Sequence, residues 1–259
     1  MKDLAGLATW LCDMDGVLIG DGAMIEGADD FLARLRATGR EFLVLTNNSL
    51  FTPRQLSADL SAMGLDVGED RLWTAALATA QFVHAQRPRG SAFVIGLDSV
   101  HEALANVGYR EDTRRPDYVV MGETWDYSYD DFATAIRLIA AGSHFVVTNP
   151  EPTGPSLEGT LPGTGAMSAL IESATGITPY VVGKPNSMMI REAMTVLGAS
   201  SNSTVMVGDR METDILAGVD AGLATVLVLS GANAASDAES YPFRPTWVAA
   251  SVAELVDDL

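Results

Sequence analysis

The sequence predicts an α/β fold built on parallel sheets, and three observations predict it. Short apolar runs rich in Val, Leu and Ile recur along the chain with little polar alternation, as strands buried on both faces require. Segments of helical periodicity lie between them. A glycine follows most of those segments closely, where a helix C-terminus favours left-handed backbone. Such strand–helix alternation is the pattern of parallel sheets.

The elements follow in order. The strand-like runs are Trp10–Cys12, Phe42–Leu45, Ala92–Leu97, Tyr118–Met121, His144–Val147, Thr204–Val207 and Thr225–Leu229. The helix-like segments are Ala28–Thr38, Pro53–Met63, Ala75–Gln86, Val100–Val107, Asp130–Ala141, Thr164–Ala174, Ser187–Leu197 and Thr213–Ala221. Gly39, Gly64, Gly108, Gly142, Gly176, Gly198 and Gly222 stand at their C-terminal caps. Two segments break the rhythm. "QRPRG", Gln86–Gly90, reads as a linker, and Asn149–Gly165, rich in Pro, Gly and Thr, reads as a long functional loop.

Bulk properties exclude several function classes. The 259 residues suffice for one large domain or two ordinary ones, and 47% hydrophobic content suits a packed core. No run of about 18 apolar residues suggests a membrane span. The N-terminus lacks a basic region, and Asp13 and Asp15 interrupt its apolar run, so no secretory signal is expected. A lone cysteine, Cys12, fits a reducing cytoplasm. Net charge of −18 argues against nucleic acid as a partner, and no basic amphipathic stretch suggests a membrane surface. An anionic substrate then needs a local device against the global field, such as a metal, a lysine or backbone N–H groups.

Polar chemistry repeats at the ends of four runs. "DMDGVL" places Asp13 and Asp15 on one side of a strand end. "TNNS" follows Leu45, "GKPN" carries Lys184, and "GDRMETD" carries Asp209 and Asp214. Ligands of parallel α/β sheets bind at these carboxyl ends. Clustered carboxylates repel unless a cation sits among them, and oxygen donors favour Mg²⁺. An aspartate can attack phosphorus, and a second carboxyl can protonate the leaving oxygen. Crowding among carboxylates raises the second one's pKa, as that role requires. The turn after Asp15 offers N–H donors to a phosphate. Singly these motifs are weak, since Asp and Gly are ordinary turn residues; the four in this order, each after a strand, are not coincidence.

The order resembles the haloacid dehalogenase-type phosphatases. The long interval from Thr46 to Lys184 is similar to members whose cap is inserted between the second and third motifs. "TNNS", "MGET", "TNPE", "GKPN" and "GDRMETDILAGVDAGLATVLVLSG" resemble the NagD-type and p-nitrophenylphosphatase-type branch over nearly the whole chain. The resemblance implies a Rossmann-like, doubly wound parallel core over 1–78 plus 182–259 and an inserted α/β cap of the C2a type over 79–181. It implies a Mg²⁺-dependent phosphomonoester hydrolase. Asp13 is then the nucleophile and a metal ligand. Asp15 is the general acid/base and a metal ligand through its carbonyl. Thr46, Asn47 and Lys184 hold the phosphoryl group, and Asp209 and Asp214 complete the metal site. The substrate is a small phosphorylated metabolite: nucleoside monophosphates or sugar phosphates first, phosphoglycolate or glycerol phosphate next. Homodimers through the cap are also implied.

Glu123, Trp125, Asn149 and Arg210 are the candidates for substrate selection. Trp125 serves equally well as a packing residue, and Arg210 as a surface ion pair. Two rivals use the same residues: a phosphotransferase or mutase that passes the phosphoryl group to another hydroxyl, and a non-enzymatic phospho-acceptor module. "GTGAMS" departs from a dinucleotide fingerprint at Ser168, and the Gly176–Lys184 spacing does not fit a P-loop. His84, His101 and His144 are scattered, with no zinc spacing.

Overall fold

Strand and helix alternate along the chain as the apolar pattern requires. The computed structural model describes residues 4–156 and 159–259. Its strands are β1 (Thr9–Asp13), β2 (Ile19–Gly20), β3 (Ala23–Met24), β4 (Glu41–Thr46), β5 (Leu72–Thr74), β6 (Ser91–Ile95), β7 (Arg110–Glu111), β8 (Tyr118–Met121), β9 (His144–Val147), β10 (Thr153–Ser156), β11 (Gly159–Pro162), β12 (Tyr180–Val181), β13 (Thr204–Gly208), β14 (Ala224–Val228) and β15 (Trp247–Ala249). The α-helices are α1 (Ala28–Ala37), α2 (Pro53–Ala62), α3 (Ala75–Gln86), α4 (Asp98–Asn106), α5 (Tyr129–Ala140), α6 (Thr164–Thr175), α7 (Ser187–Leu197) and α8 (Leu216–Asp220). The seven glycines expected at C-caps all have positive φ. Among the described residues, no helix is long and apolar enough to cross a membrane.

The chain divides into two compact units. One holds the residues up to Thr46, Pro53–Trp73 and Lys184–Leu259; the other holds Asn47–Thr52 and Thr74–Gly183.

The first unit is built on a six-stranded sheet in the order β15-β14-β13-β1-β4-β5. β1 runs parallel to both β13 and β4, with Cys12 level with Val207 and Val44. Every residue of β1 is buried, and the Trp10 ring meets Phe31 of α1 edge-on at 5.6 Å. Phe42 lies under the guanidinium groups of Arg36 and Arg71, at 5.3 and 5.4 Å.

The second unit carries a parallel five-stranded sheet, β12-β9-β8-β6-β7. Its core joins Val119, Met121, Phe145 and Val147 of the sheet to Phe132, Leu138 and Ile139 of α5 and Ile171 of α6. Ser128 caps α5, accepting from the Asp131 N–H at 3.1 Å.

Three sequence readings need correction. Gln86–Gly90 is no slack linker: the Tyr109 hydroxyl donates to the carbonyls of Val83 and Arg87, and a Cβ on Gly90 would strike the Tyr109 ring. The Asn149–Gly165 stretch is not all loop, because β10 and β11 pair in an antiparallel hairpin. The exposed β11 shows none of the apolar alternation that would have marked it, and residues 157 and 158 lie outside the described residues. The backbone also approaches closely here: a Cβ on Gly163 or Gly165 would overlap the carbonyls of Glu151 or Pro150, which accounts for "GTG" without a nucleotide. Finally, the helix expected from Thr213 begins earlier, as a π turn over Met211–Ile215 that continues into α8.

Candidate active site

From β1 the chain builds β4 and β5 on one side, then returns to place β13, β14 and β15 on the other. The gap between β1 and β13 is therefore the point where strand order reverses, the usual ligand crevice of a parallel sheet. Asp13 ends β1 and Asp209 follows β13, so the topology brings two carboxylates to that crevice.

Lys184 bridges the group. Its Nζ donates to Asp13 Oδ1 at 2.6 Å and to Asp214 Oδ1 at 2.7 Å, and Lys184 is only 2% exposed. Burial alone would push this ammonium's pKa down, but Asp13 and Asp214 together outweigh it and raise it. Asp13 is raised well above the ordinary carboxylate range, first by burial and next by the Asp214 charge, against the pull of Lys184. The side chain of Asp15 remains open to solvent; neighbouring atoms that displace water raise its pKa, while Lys184 and Arg210 pull it down.

Asp214 is wholly buried because the π turn folds it back. The N–H groups of Asp214 and Ile215 both reach the Arg210 carbonyl at 3.1 Å, and the Arg210 N–H donates to Asp214 Oδ2 at 3.1 Å. Gly208 is required beneath it, since a Cβ there would overlap the Asp214 side chain. Carboxylate oxygens of Asp13, Asp209 and Asp214 lie within 4.8 Å of one another. The set is made of oxygen donors, and the four carboxylates of Asp13, Asp15, Asp209 and Asp214 are opposed by only the Lys184 ammonium and the more distant Arg210 guanidinium. Asp209 Oδ1 is buried without a protein partner. These residues therefore fit a hard divalent cation. Burial raises the Asp209 pKa, and the Ala232 N–H opposes that.

Thr46 is buried at the end of β4, one residue beyond the Asp13↔Leu45 pair. The turn after β1 is partly spent on itself: the Gly16 N–H donates to Ile19 O, and the Leu18 and Ile19 N–H groups donate to Met14 O. Those three N–H groups are not available to an anion. Arg210 lies 3.7 Å from Glu212, a solvent-exposed pair.

Cys12, fully buried beside Asp13, has its thiol pKa raised by burial first and by the Asp13 charge second. It should resist iodoacetamide in the native protein and react once the protein is unfolded. Rapid native labelling, followed by mass spectrometry, would contradict this placement.

The second unit gathers the other candidates. Ser49 donates through both N–H and Oγ to Glu123 Oε2, at 2.7 and 3.1 Å, and its Oγ accepts the Glu123 N–H at 3.0 Å. Thr148 Oγ1 donates to Asn149 Oδ1 at 2.6 Å. Glu151 receives both amides, Asn47 Nδ2 at 2.7 Å and Asn149 Nδ2 at 2.8 Å. Trp125 stands apart from this network, 63% exposed. Sequence reading missed Ser49, Thr148 and Glu151, although "TNNS" and "TNPE" pointed to their segments. It also missed Ser230–Asn233, where nothing in residue type signals chemistry.

Comparison with known proteins agrees with this geometry. Residues 10–110 match the family described as haloacid dehalogenase-like hydrolase, and residues 181–255 match the one described as HAD-hydrolase-like. A dihydroxyacetone phosphatase of Corynebacterium glutamicum is 51% identical over 96% of this chain and 90% of its own. The ribonucleotide monophosphatase NagD of Escherichia coli is 40% identical over 95% of this chain and 96% of its own. The solved NagD structure superposes with a TM-score of 0.91 at 39% identity, covering 96% of this chain and 98% of that one. A 4-nitrophenylphosphatase from Thermotoga maritima superposes at 0.92 with 30% identity, covering 98% of both chains. The chain belongs to the haloacid dehalogenase-like hydrolases, in the branch of NagD and the p-nitrophenylphosphatases, and is a phosphatase of that family.

Proposed function

We propose that the protein is a Mg²⁺-dependent phosphomonoester hydrolase that works through an aspartyl-phosphate on Asp13. The observation that carries this is the buried Lys184 bridge between Asp13 and Asp214, beside the unpaired Asp209 oxygen. With Oδ1 held by Lys184, Oδ2 of Asp13 attacks phosphorus and the ester P–O bond breaks. Asp15 gives its proton to the departing alkoxide. It then takes a proton from water, whose oxygen attacks phosphorus, and the bond to Asp13 breaks to release phosphate. Lys184 offsets charge on the nucleophile and phosphoryl oxygens, and Thr46 and Asn47 hold that group. Asp13, Asp209 and the Asp15 carbonyl would hold Mg²⁺, with Asp214 supporting them; when bound, the ion neutralises charge on the transferring phosphoryl group. The catalytic core is assigned to 1–78 plus 182–259 and the cap to 79–181. A cytoplasmic enzyme paired through its caps completes the reading, and sedimentation tests the pairing.

The substrates are small phosphorylated metabolites. Dihydroxyacetone phosphate leads the panel because a 51%-identical relative is named a dihydroxyacetone phosphatase, followed by nucleoside monophosphates and sugar phosphates. Phosphate release should fall about a hundredfold or more when EDTA removes divalent ions, and return with added Mg²⁺. EDTA-insensitive turnover would refute the metal requirement. Phosphoryl transfer to an added acceptor sugar in place of phosphate release would favour a transferase.

A further inference from the structure

Ser230–Asn233, one residue beyond β14, hold Asp209 through two backbone N–H groups and brace its surroundings through two side chains. Ala232 N–H donates to Asp209 Oδ2 at 2.6 Å, and Asn233 N–H donates to the Asp209 carbonyl at 3.2 Å. Asn233 Oδ1 accepts from the Met211 N–H at 2.7 Å, which ties down the chain just beyond Asp209. Ser230 Oγ donates to the Gly16 carbonyl at 2.7 Å, which joins this loop to the turn after β1.

Packing adds a second constraint. A Cβ on Gly231 would overlap the Asp209 carboxylate, and so would one on Gly16. The Asp209 carboxylate therefore lies between two glycines, with Oδ2 bound by Ala232 and Oδ1 buried and unpartnered. Gly16 has φ +79°, so its conformation alone favours glycine. Gly231 is not among the glycines with positive φ, so its lack of a side chain answers to space.

We infer that Ser230–Asn233 is a positioning clamp that aims Asp209 Oδ1 at the divalent cation and so sets the affinity of the site. The inference rests on the metal reading proposed above. Groups that orient a metal ligand without touching the metal commonly control affinity by about 10–100-fold. A methyl group at position 231 has an acceptable backbone but would displace the carboxylate from its slot. Removal of the Ser230 hydroxyl would free the Gly16 wall of that slot.

The test is Mn²⁺ binding to the full-length protein, followed by the EPR signal of the free ion, with Mg²⁺ as competitor. Gly231→Ala should weaken Mn²⁺ binding about 10–100-fold with an unchanged circular dichroism spectrum. Ser230→Ala should weaken it severalfold, and decides the matter alone should Gly231→Ala not fold. Wild-type affinity in folded Gly231→Ala, or in Ser230→Ala where that variant decides, would overturn the clamp. Asp209→Asn separates the two readings. If wild type and Asp209→Asn bind Mn²⁺ equally, the metal site itself is misassigned and the inference falls with it. If only Asp209→Asn loses the ion while both loop variants keep it, the clamp alone fails.

Discussion

Replacing Asp13 with asparagine should lower phosphate release by about 10⁴-fold or more, the loss typical of a removed nucleophile. An amide oxygen does not form the acyl-phosphate, so no residual route through position 13 remains. The fold should survive. Asparagine has the shape of aspartate, and Lys184 keeps its 2.7 Å bond to Asp214. Rapid quench with a radiolabelled phosphomonoester should trap label on the wild-type chain and none on the variant. Appreciable turnover by a folded Asp13→Asn protein would remove Asp13 as nucleophile.

Lys184→Met should cost both activity and stability. Lys184 touches Asp13, the proposed nucleophile, and loss of one charge-stabilising donor typically lowers kcat by about 10²–10³-fold. The stability loss has a separate origin. Asp13 and Asp214 are both buried and share this one ammonium, so its removal leaves two carboxylates in a dry site. Breaking a buried ion pair from one side costs about 3–5 kcal/mol. Urea unfolding in metal-free buffer measures it as a lower midpoint at an unchanged slope. Loss of activity without loss of stability would show that the two buried ion pairs contribute nothing to folding.

Much of this molecule was legible locally. The central strands β1, β4, β8, β9, β13 and β14 appear in the sequence as apolar runs, because residues buried on both faces must be apolar whatever the neighbouring strand is. The C-cap glycines were legible because left-handed backbone is a single-residue requirement. The motif carboxylates and Lys184 were legible because phosphoryl chemistry needs those side-chain types at strand ends.

The short elements were not. β5, β12 and β15 span two or three residues each, too few for any periodicity, and exist because a neighbouring strand offers hydrogen bonds. The π turn before α8 keeps an ordinary helical pattern in sequence and is widened by the burial of Asp214 against Gly208.

The sequence by itself determined the α/β alternation, the four motifs and the charge problem that a cation or lysine must answer. Only the tertiary structure decided which oxygen of each carboxylate is engaged. It assigned Asp13 Oδ1 to Lys184, both oxygens of Asp214 to Lys184 and the Arg210 N–H, and Asp209 Oδ2 to the Ala232 N–H. The physical reason is that these choices are made by the Lys184 ammonium, by the backbone N–H groups of Arg210 and Ala232, and by the space left at Gly16, Gly208 and Gly231. Every residue carries a backbone, so those N–H donors leave no mark on residue type, and the lysine and the glycines meet their partners only once distant strands are brought side by side.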